Sequence, residues 1–199
     1  MKTYPINEIF YSLQGEGAHS GQAATFVRFS GCNLKCPFCD TDHFSATPMT
    51  VDEIVAEVSR NRAPLVILTG GEPSLFVDRH LVEALHAAGK YLAMETNGTN
   101  PVDDNIDWIT MSPKFGMAPG GDDLRLQRAN EIKVVYIGQD LGNYFDLPQC
   151  DETTKMYLQP CYVSGPEERR RNIEATINCV KADPRWVLSA QLHRYLGIR

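Results

Sequence analysis

The stretch ATFVRFSGCNLKCPFCDTDH, Ala24 to His43, opens as a short run of apolar, β-branched and aromatic residues and ends with three cysteines between Cys32 and Cys39. A run of this kind bounded by glycine reads as a strand, and the cysteines then sit on the loop at its C-terminal end. The same arrangement recurs along the chain. Runs at 65–69 (LVILT), 91–94 (YLAM), 107–111 (DWITM), 132–137 (IKVVYI), 156–158 (MYL) and 186–190 (WVLSA) raise the expected number of strands to about seven. Polar or glycine-bearing motifs follow several of them: TGGEP at 69–73, ETNG at 95–98, SPK at 112–114 and QP at 159–160. Helical patterns lie between. Thr50-x-x-Glu53 is a capping-box signature opening 51–60, the pattern at 77–88 stops at Gly89, and Pro166 starts a helix running to about 181. Strands alternating with helices argue for parallel βα units. A chain of 199 residues is short of the roughly 250 of a complete eight-unit barrel, so the expected fold is α/β, an incomplete TIM-like barrel of parallel strands with few helices. The C-terminal strand edge carries the active site in such folds, and the motifs should converge there on one pocket.

The length suits one domain spanning 1–199, with no low-complexity tract or internal repeat. No segment approaches the roughly 20 apolar residues of a membrane span, and MKTYPINEIF lacks the apolar run of a signal peptide, so a cytoplasmic location is expected. The net charge of -6 is the wrong sign for an electrostatic nucleic-acid footprint and directs attention to a small-molecule ligand. The one dense charge run, EERRRNIE at 167–174, alternates in sign as a solvated helix face does.

In a reducing compartment a tight cysteine group points to metal rather than to disulfides. The spacing Cys32-x3-Cys36-x2-Cys39 comes with no second CxxC and no histidine pair of the zinc-finger type. Three thiolates are one short of a closed zinc site, which would have to borrow His43 or a distant cysteine. A four-iron cluster with three protein ligands keeps one iron open. Both readings stand on the spacing alone. Cys150, Cys161 and Cys179 are widely separated and read as small buried hydrophobes. His19, His80 and His86 read as surface or helix-face residues.

Cys-x3-Cys-x2-Cys resembles the signature of the radical S-adenosylmethionine (SAM) enzymes, and TGGEP resembles their second motif. The resemblance implies a [4Fe–4S] cluster on Cys32, Cys36 and Cys39 whose open iron takes the amino and carboxylate groups of SAM, an incoming electron then releasing a 5′-deoxyadenosyl radical. Gly70 and Gly71 remove Cβ atoms where backbone approaches the methionyl group, and Glu72 offers a carboxylate to the amine or a brace for the loop. Phe38 is placed against the adenine. Ser112, Pro113 and Lys114 are suited to ribose hydroxyls or a carboxylate, and Gln159, Pro160, Cys161 and Tyr162 to the adenosine.

INEIFYSLQGEG at 6–17, FVRFSGCNLKCPFCDT, ILTGGEP, ETNGT, SPK, NEIKVV and QLHRYLGIR together resemble the 7-carboxy-7-deazaguanine synthase (QueE) family. This implies a carbon–nitrogen lyase of queuosine and deazapurine biosynthesis that contracts the ring of 6-carboxy-5,6,7,8-tetrahydropterin with loss of ammonia. Leu13, Gln14 and Gly15 would pair the pterin edge, Glu16 its exocyclic amine, Thr69 would add a hydroxyl, and Arg28 would take the carboxylate. Thr41 matches the residue that puts a hydroxyl on Mg²⁺, the substrate and waters completing the octahedral shell, with Asp40 and Asp42 holding those waters or capping the loop. His193 and the terminal carboxylate of Arg199 would lie against the pterin. The resemblance also implies a homodimer and a low-potential flavodoxin or ferredoxin as electron donor. A glycyl-radical-enzyme activase, an iron–sulfur electron carrier and a zinc-stabilised binding module are the competing classes.

Overall fold

The structure, a computed structural model, describes residues 2–39 and 41–198. Asp40 and Arg199, both named above, lie outside the described residues. Nine strands form one sheet: β1 (Tyr4–Leu13), β2 (Ala23–Phe29), β3 (Thr47–Met49), β4 (Leu65–Gly70), β5 (Tyr91–Thr96), β6 (Trp108–Met111), β7 (Glu131–Tyr136), β8 (Lys155–Pro160) and β9 (Val187–Leu188). Their spatial order is β3-β1-β2-β4-β5-β6-β7-β8-β9. From β2 through β9 every neighbouring pair is parallel, which gives the expected partial barrel. Two strands were not expected. β1 and β3 extend the open edge in antiparallel pairing, β1 against both β2 and β3. The expected strand at 186–190 shrinks to two residues, the Trp186 N–H being taken by the Asp183 carbonyl of the preceding turn while its ring packs beside Tyr144 and Phe145.

Helices cover the outer face. α1 (Val51–Ser59) begins with the full capping box, Thr50 accepting from the Glu53 N–H while Glu53 accepts from the Thr50 N–H. α2 (Arg79–Ala87) starts two residues later than its pattern suggests because Asp78 caps it, accepting from the Leu81 N–H. α3 runs Pro166–Ala182 and a short α4, not expected, spans Leu192–Leu196. None of these helices is long and apolar enough to cross a membrane.

The period of two along each strand sorts side chains between two layers. Val66 and Leu68 of β4 face the helices, where they join Ile54, Val58, Leu81, Leu85 and Met94 in the main core. Each such fully buried aliphatic side chain contributes roughly 1.5–3 kcal/mol. Leu65 and Ile67 face the barrel interior with Ala24, Ala93, Phe26 and Trp108. Two residues further along several of these strands the interior turns polar, at Arg28, Thr69, Glu95, Lys133 and Gln159, all of which line one cavity. A small apolar plug thus supports a polar chamber that opens at the C-terminal strand edge.

Candidate active site

The chamber has a volume of about 630 Å³. Its mouth is the loop after β2. There Cys32, Cys36 and Cys39 line the cavity, Cys39 the most exposed of them, and the loop is closed by Gly31 N–H donating to the His43 carbonyl at 2.9 Å. The loop after β4 is locked against it. Gly71 N–H donates to Phe29 O at 3.0 Å and Glu72 N–H to Gly31 O at 2.9 Å. A Cβ at Gly71 would come within 2.1 Å of the Gly31 carbonyl, so only glycine lets the two loops meet. Of the two roles expected for Glu72, bracing is the one its contacts fill. Its carboxylate is 1% exposed and accepts from Ser74 N–H and Oγ, Thr96 Oγ1 and Asn97 N–H.

The three thiols share a wall of the cavity. Among the described residues, no set of three or more His, Cys, Asp or Glu side chains is arranged to hold a single metal ion. Three free thiols on one cavity are one short of a closed four-ligand zinc site and are the number that a [4Fe–4S] cluster with one open iron takes, so the donor set fits [4Fe–4S]. Burial pushes the Cys32 and Cys36 thiols up, and the Lys114 cation opposes this at Cys36. His43, the alternative zinc ligand, packs its ring on Phe44.

Lys114 donates to Ser112 O and Oγ at 2.6 and 2.5 Å. Burial, with only partial relief from Cys36, lowers its pKa to about 8. Ser112 lines the cavity with it, but Pro113 does not: its ring is buried, since alternate residues of the turn face opposite sides. Phe38, Gln159, Pro160, Cys161 and Tyr162 all reach the chamber, as do Leu13, Gln14, Gly15, Glu16, Arg28, Thr41, Thr69 and His193. Asp42 caps its own loop, accepting from the Phe44 N–H, and also lines the mouth.

The hairpin loop 14–22 forms the floor. Gln14 ties that loop to β5: Oε1 accepts from Gly15 and Glu16 N–H, and Nε2 donates to Glu95. Leu192 N–H donates to Gly15 O, seating α4 on the loop, and a Cβ at Gly15 would lie 2.5 Å from His193 Nδ1. His19 is half-buried on a short 3-10 turn, Gly17–His19, its ring meeting Trp108 and Tyr91 edge-on.

Four cavity residues, Glu8, Glu95, Lys133 and Gln191, lie inside the motifs quoted above but were given no role there. Glu8 holds Arg28 Nε at 2.8 Å. Lys133 Nζ lies 2.6 Å from Glu16 Oε2 and 2.7 Å from Glu95 Oε2, and Gln191 Nε2 donates to Glu16 Oε1 at 2.9 Å. Burial opposes ionisation of Glu16, but the Lys133 charge and hydrogen bond, Gln191 and His193 together lower its pKa to about 2. Burial would likewise strip the proton from Lys133, yet Glu16, Glu95 and Glu131 raise its pKa far above the usual lysine value.

A partial parallel barrel that presents a three-cysteine loop and a glycine-locked second loop to one chamber has the architecture of a radical SAM protein, and residues 26–113 match the Radical SAM superfamily. The relatives narrow the class. The chain is 53% identical to 7-carboxy-7-deazaguanine synthase of Bacteroides thetaiotaomicron over 98% of both chains. It is 40% identical to that of Bradyrhizobium diazoefficiens, over 99% of this chain and 100% of the relative. The crystal structure of QueE from Escherichia coli superposes with a TM-score of 0.75 at 31% identity, covering 95% of this chain and 94% of that one. The chain belongs to the 7-carboxy-7-deazaguanine synthase family.

Proposed function

We propose that this chain, as a single radical SAM domain, converts 6-carboxy-5,6,7,8-tetrahydropterin to 7-carboxy-7-deazaguanine with release of ammonia. The supporting observation is the chamber itself. One cavity joins a three-cysteine mouth to a paired Arg28 and a carboxylate floor, in a chain alike from end to end to a synthase of that name. A SAM-bound cluster held by Cys32, Cys36 and Cys39 supplies the radical that starts such a reaction. The conversion needs no external oxidant, because hydrogen is redistributed within the substrate as NH₃ leaves.

The protein groups divide the remaining work. Arg28, oriented by its Nε contact to Glu8, takes the substrate carboxylate through its guanidinium. Ser112, Lys114 and the Gln159–Tyr162 segment hold SAM between the mouth and β8. Thr41 contributes a hydroxyl to Mg²⁺, with the substrate and water completing the shell. A low-potential flavodoxin or ferredoxin delivers the electron, and the enzyme works as a cytoplasmic homodimer. The decisive assay is anaerobic: reconstituted protein, dithionite, SAM, Mg²⁺ and the carboxytetrahydropterin, with the product identified by mass. Formation of 5′-deoxyadenosine without a deazaguanine product would refute the assignment.

A further inference from the structure

β7 carries two charged residues on the inner face of the barrel, Glu131 and Lys133, which are 1% and 5% exposed. They belong to the NEIKVV motif, to which neither the cluster nor SAM gives a role. Lys133 joins three parts of the fold: Glu16 of the floor loop, Glu95 at the end of β5 and, through Glu16, Gln191 ahead of α4. The distances are short and the setting is closed, with the Lys133 side chain 6% exposed and those of Glu16 and Glu95 16% and 21%. Two carboxylates against one ammonium leave the floor with one surplus negative charge. Among the described residues, two donors reach each carboxylate, fewer than the about four acceptor sites that an ionised carboxylate offers. Glu16 receives Lys133 and Gln191, and Glu95 receives Lys133 and Gln14.

We propose that Lys133 is a positioning residue: its ammonium fixes the Glu16 and Glu95 carboxylates so that they accept N–H donors from the aminopyrimidinone end of the bound pterin. This rests on the functional reading above and deepens it. A guanidine-like ring edge with several N–H donors pairs with ionised carboxylates, and a carboxylate buried alone would protonate and offer a donor instead. The Lys133 charge and hydrogen bond favour the accepting, ionised state of Glu16. Lys133 also holds the two carboxylates at a fixed spacing, with their Oε2 atoms no more than about 5 Å apart, since both touch one nitrogen. The charged or titratable groups around it are Glu16 and His193 from the floor loop and α4, Glu95 from β5, Lys114 after β6 and Glu131 from β7.

The experiment compares Lys133→Met, Glu95→Gln and the double variant Lys133→Met/Glu95→Gln as full-length, cluster-reconstituted protein, measuring kcat and KM for the carboxytetrahydropterin from pH 5.5 to 9. Iron content and melting temperature are read alongside. Lys133→Met should raise KM at neutral pH by at least about tenfold with kcat within about threefold, the loss expected when charge-assisted contacts to a ligand are disordered. It should add an ionisation to the pH profile of kcat/KM that wild type lacks, because two close carboxylates without a cation share a proton. The double variant restores the wild-type net charge of the floor, so the added ionisation should vanish while KM stays high. Glu95→Gln should raise KM without adding an ionisation.

If Lys133→Met loses iron and melting temperature but its folded fraction keeps the wild-type KM and pH profile, Lys133 is a structural pillar and the proposal falls. If Lys133→Met does not fold, an unchanged KM in Glu95→Gln overturns it equally. A wild-type chain that makes deoxyadenosine but never turns over the pterin refutes the functional reading and this inference together.

Discussion

Replacing Glu131 by glutamine should stabilise the protein in a way that depends on pH. Glu131 sits inside the barrel at 1% exposure, where Oε2 accepts the Ala18 N–H at 2.9 Å and Oε1 finds no hydrogen-bond partner among the described residues. Burial, followed by the negative charge of Glu95, pushes its pKa from 4.5 up to about 7, against the pull of Lys133, the Ala18 N–H and the nearby Trp108 side chain. The folded state therefore holds this proton more tightly than the unfolded chain does. Its contribution is complete below pH 4.5 and is lost as pH rises through 7, where the buried group ionises. At about 1.4 kcal/mol per pH unit, that interval amounts to roughly 3 kcal/mol. Glutamine keeps the shape and an acceptor for Ala18 while staying neutral throughout. Urea unfolding of the reduced, cluster-free chain, followed by the fluorescence of Trp108 and Trp186, gives the difference directly. The variant and wild type should agree within about 0.5 kcal/mol at pH 4.5 and diverge to roughly 3 kcal/mol by pH 8.5, or about 6–12 °C in melting temperature for a domain of this size. Groups shared by both proteins cancel. A gap that stays constant from pH 4.5 to 8.5 would refute the electrostatic account.

Alanine at Cys32, Cys36 or Cys39 should abolish turnover and most of the visible absorption of the reconstituted protein, while Cys150→Ala and Cys179→Ala should keep iron near the wild-type level. Thr41→Ala should lower kcat/KM and weaken Mg²⁺ activation with cluster content intact, serine being milder because it keeps the oxygen; unchanged Mg²⁺ activation would remove Thr41 from the site. Gly15→Ala places a Cβ 2.5 Å from His193 Nδ1 and 3.0 Å from its backbone nitrogen, so α4 must lift from the floor and KM should rise by about tenfold or more, with iron content unaffected.

The parallel strands were legible because each is a short apolar run with a turn motif at the same end, and the pleat leaves both of its faces covered. β1 was not, and its burial pattern explains why. The pairing register with β2 shifts between Ile6 and Glu8, a bulge that breaks the alternation, and beyond it both faces are half-open. β3 carries Pro48, which only an edge strand tolerates, so its three residues read as loop. The motif residues of the site were legible for a related reason: a cysteine spacing or a glycine pair is local in sequence. Lys133 and Glu16 are 117 positions apart, and Gln191 and Glu16 are 175 apart. No window of sequence contains such pairs. A signal was nonetheless present, in a lysine set among β-branched residues of NEIKVV, because a charge in the interior phase of a buried strand requires a partner.

The chamber's two lysines, Lys133 buried and Lys114 half-buried, show how its polarity is arranged. Lys133 faces two carboxylates and keeps its proton against the pull of burial. Lys114 bonds to the carbonyl and hydroxyl of Ser112, which are neutral acceptors, and its pKa drops to about 8. Burial acts to lower both, and the surrounding charge makes the difference: Glu16, Glu95 and Glu131 favour the charged Lys133, whereas the Lys133 cation disfavours the charged Lys114. Lys133 is satisfied by the protein and serves as a fixed counter-charge. Lys114 is only partly compensated, and an anionic group arriving beside it would favour its charged form and be favoured in return. Arg28 adds a second cation to the wall, its Nε donating to Glu8 at 2.8 Å. Acceptors with spare capacity therefore gather at the floor, on Glu16 and Glu95, while cations with spare capacity stand on the wall and near the mouth. A ligand carrying N–H donors at one end and a carboxylate at the other has one favourable orientation in this field, and reversing it would set its carboxylate against the surplus negative charge of the floor.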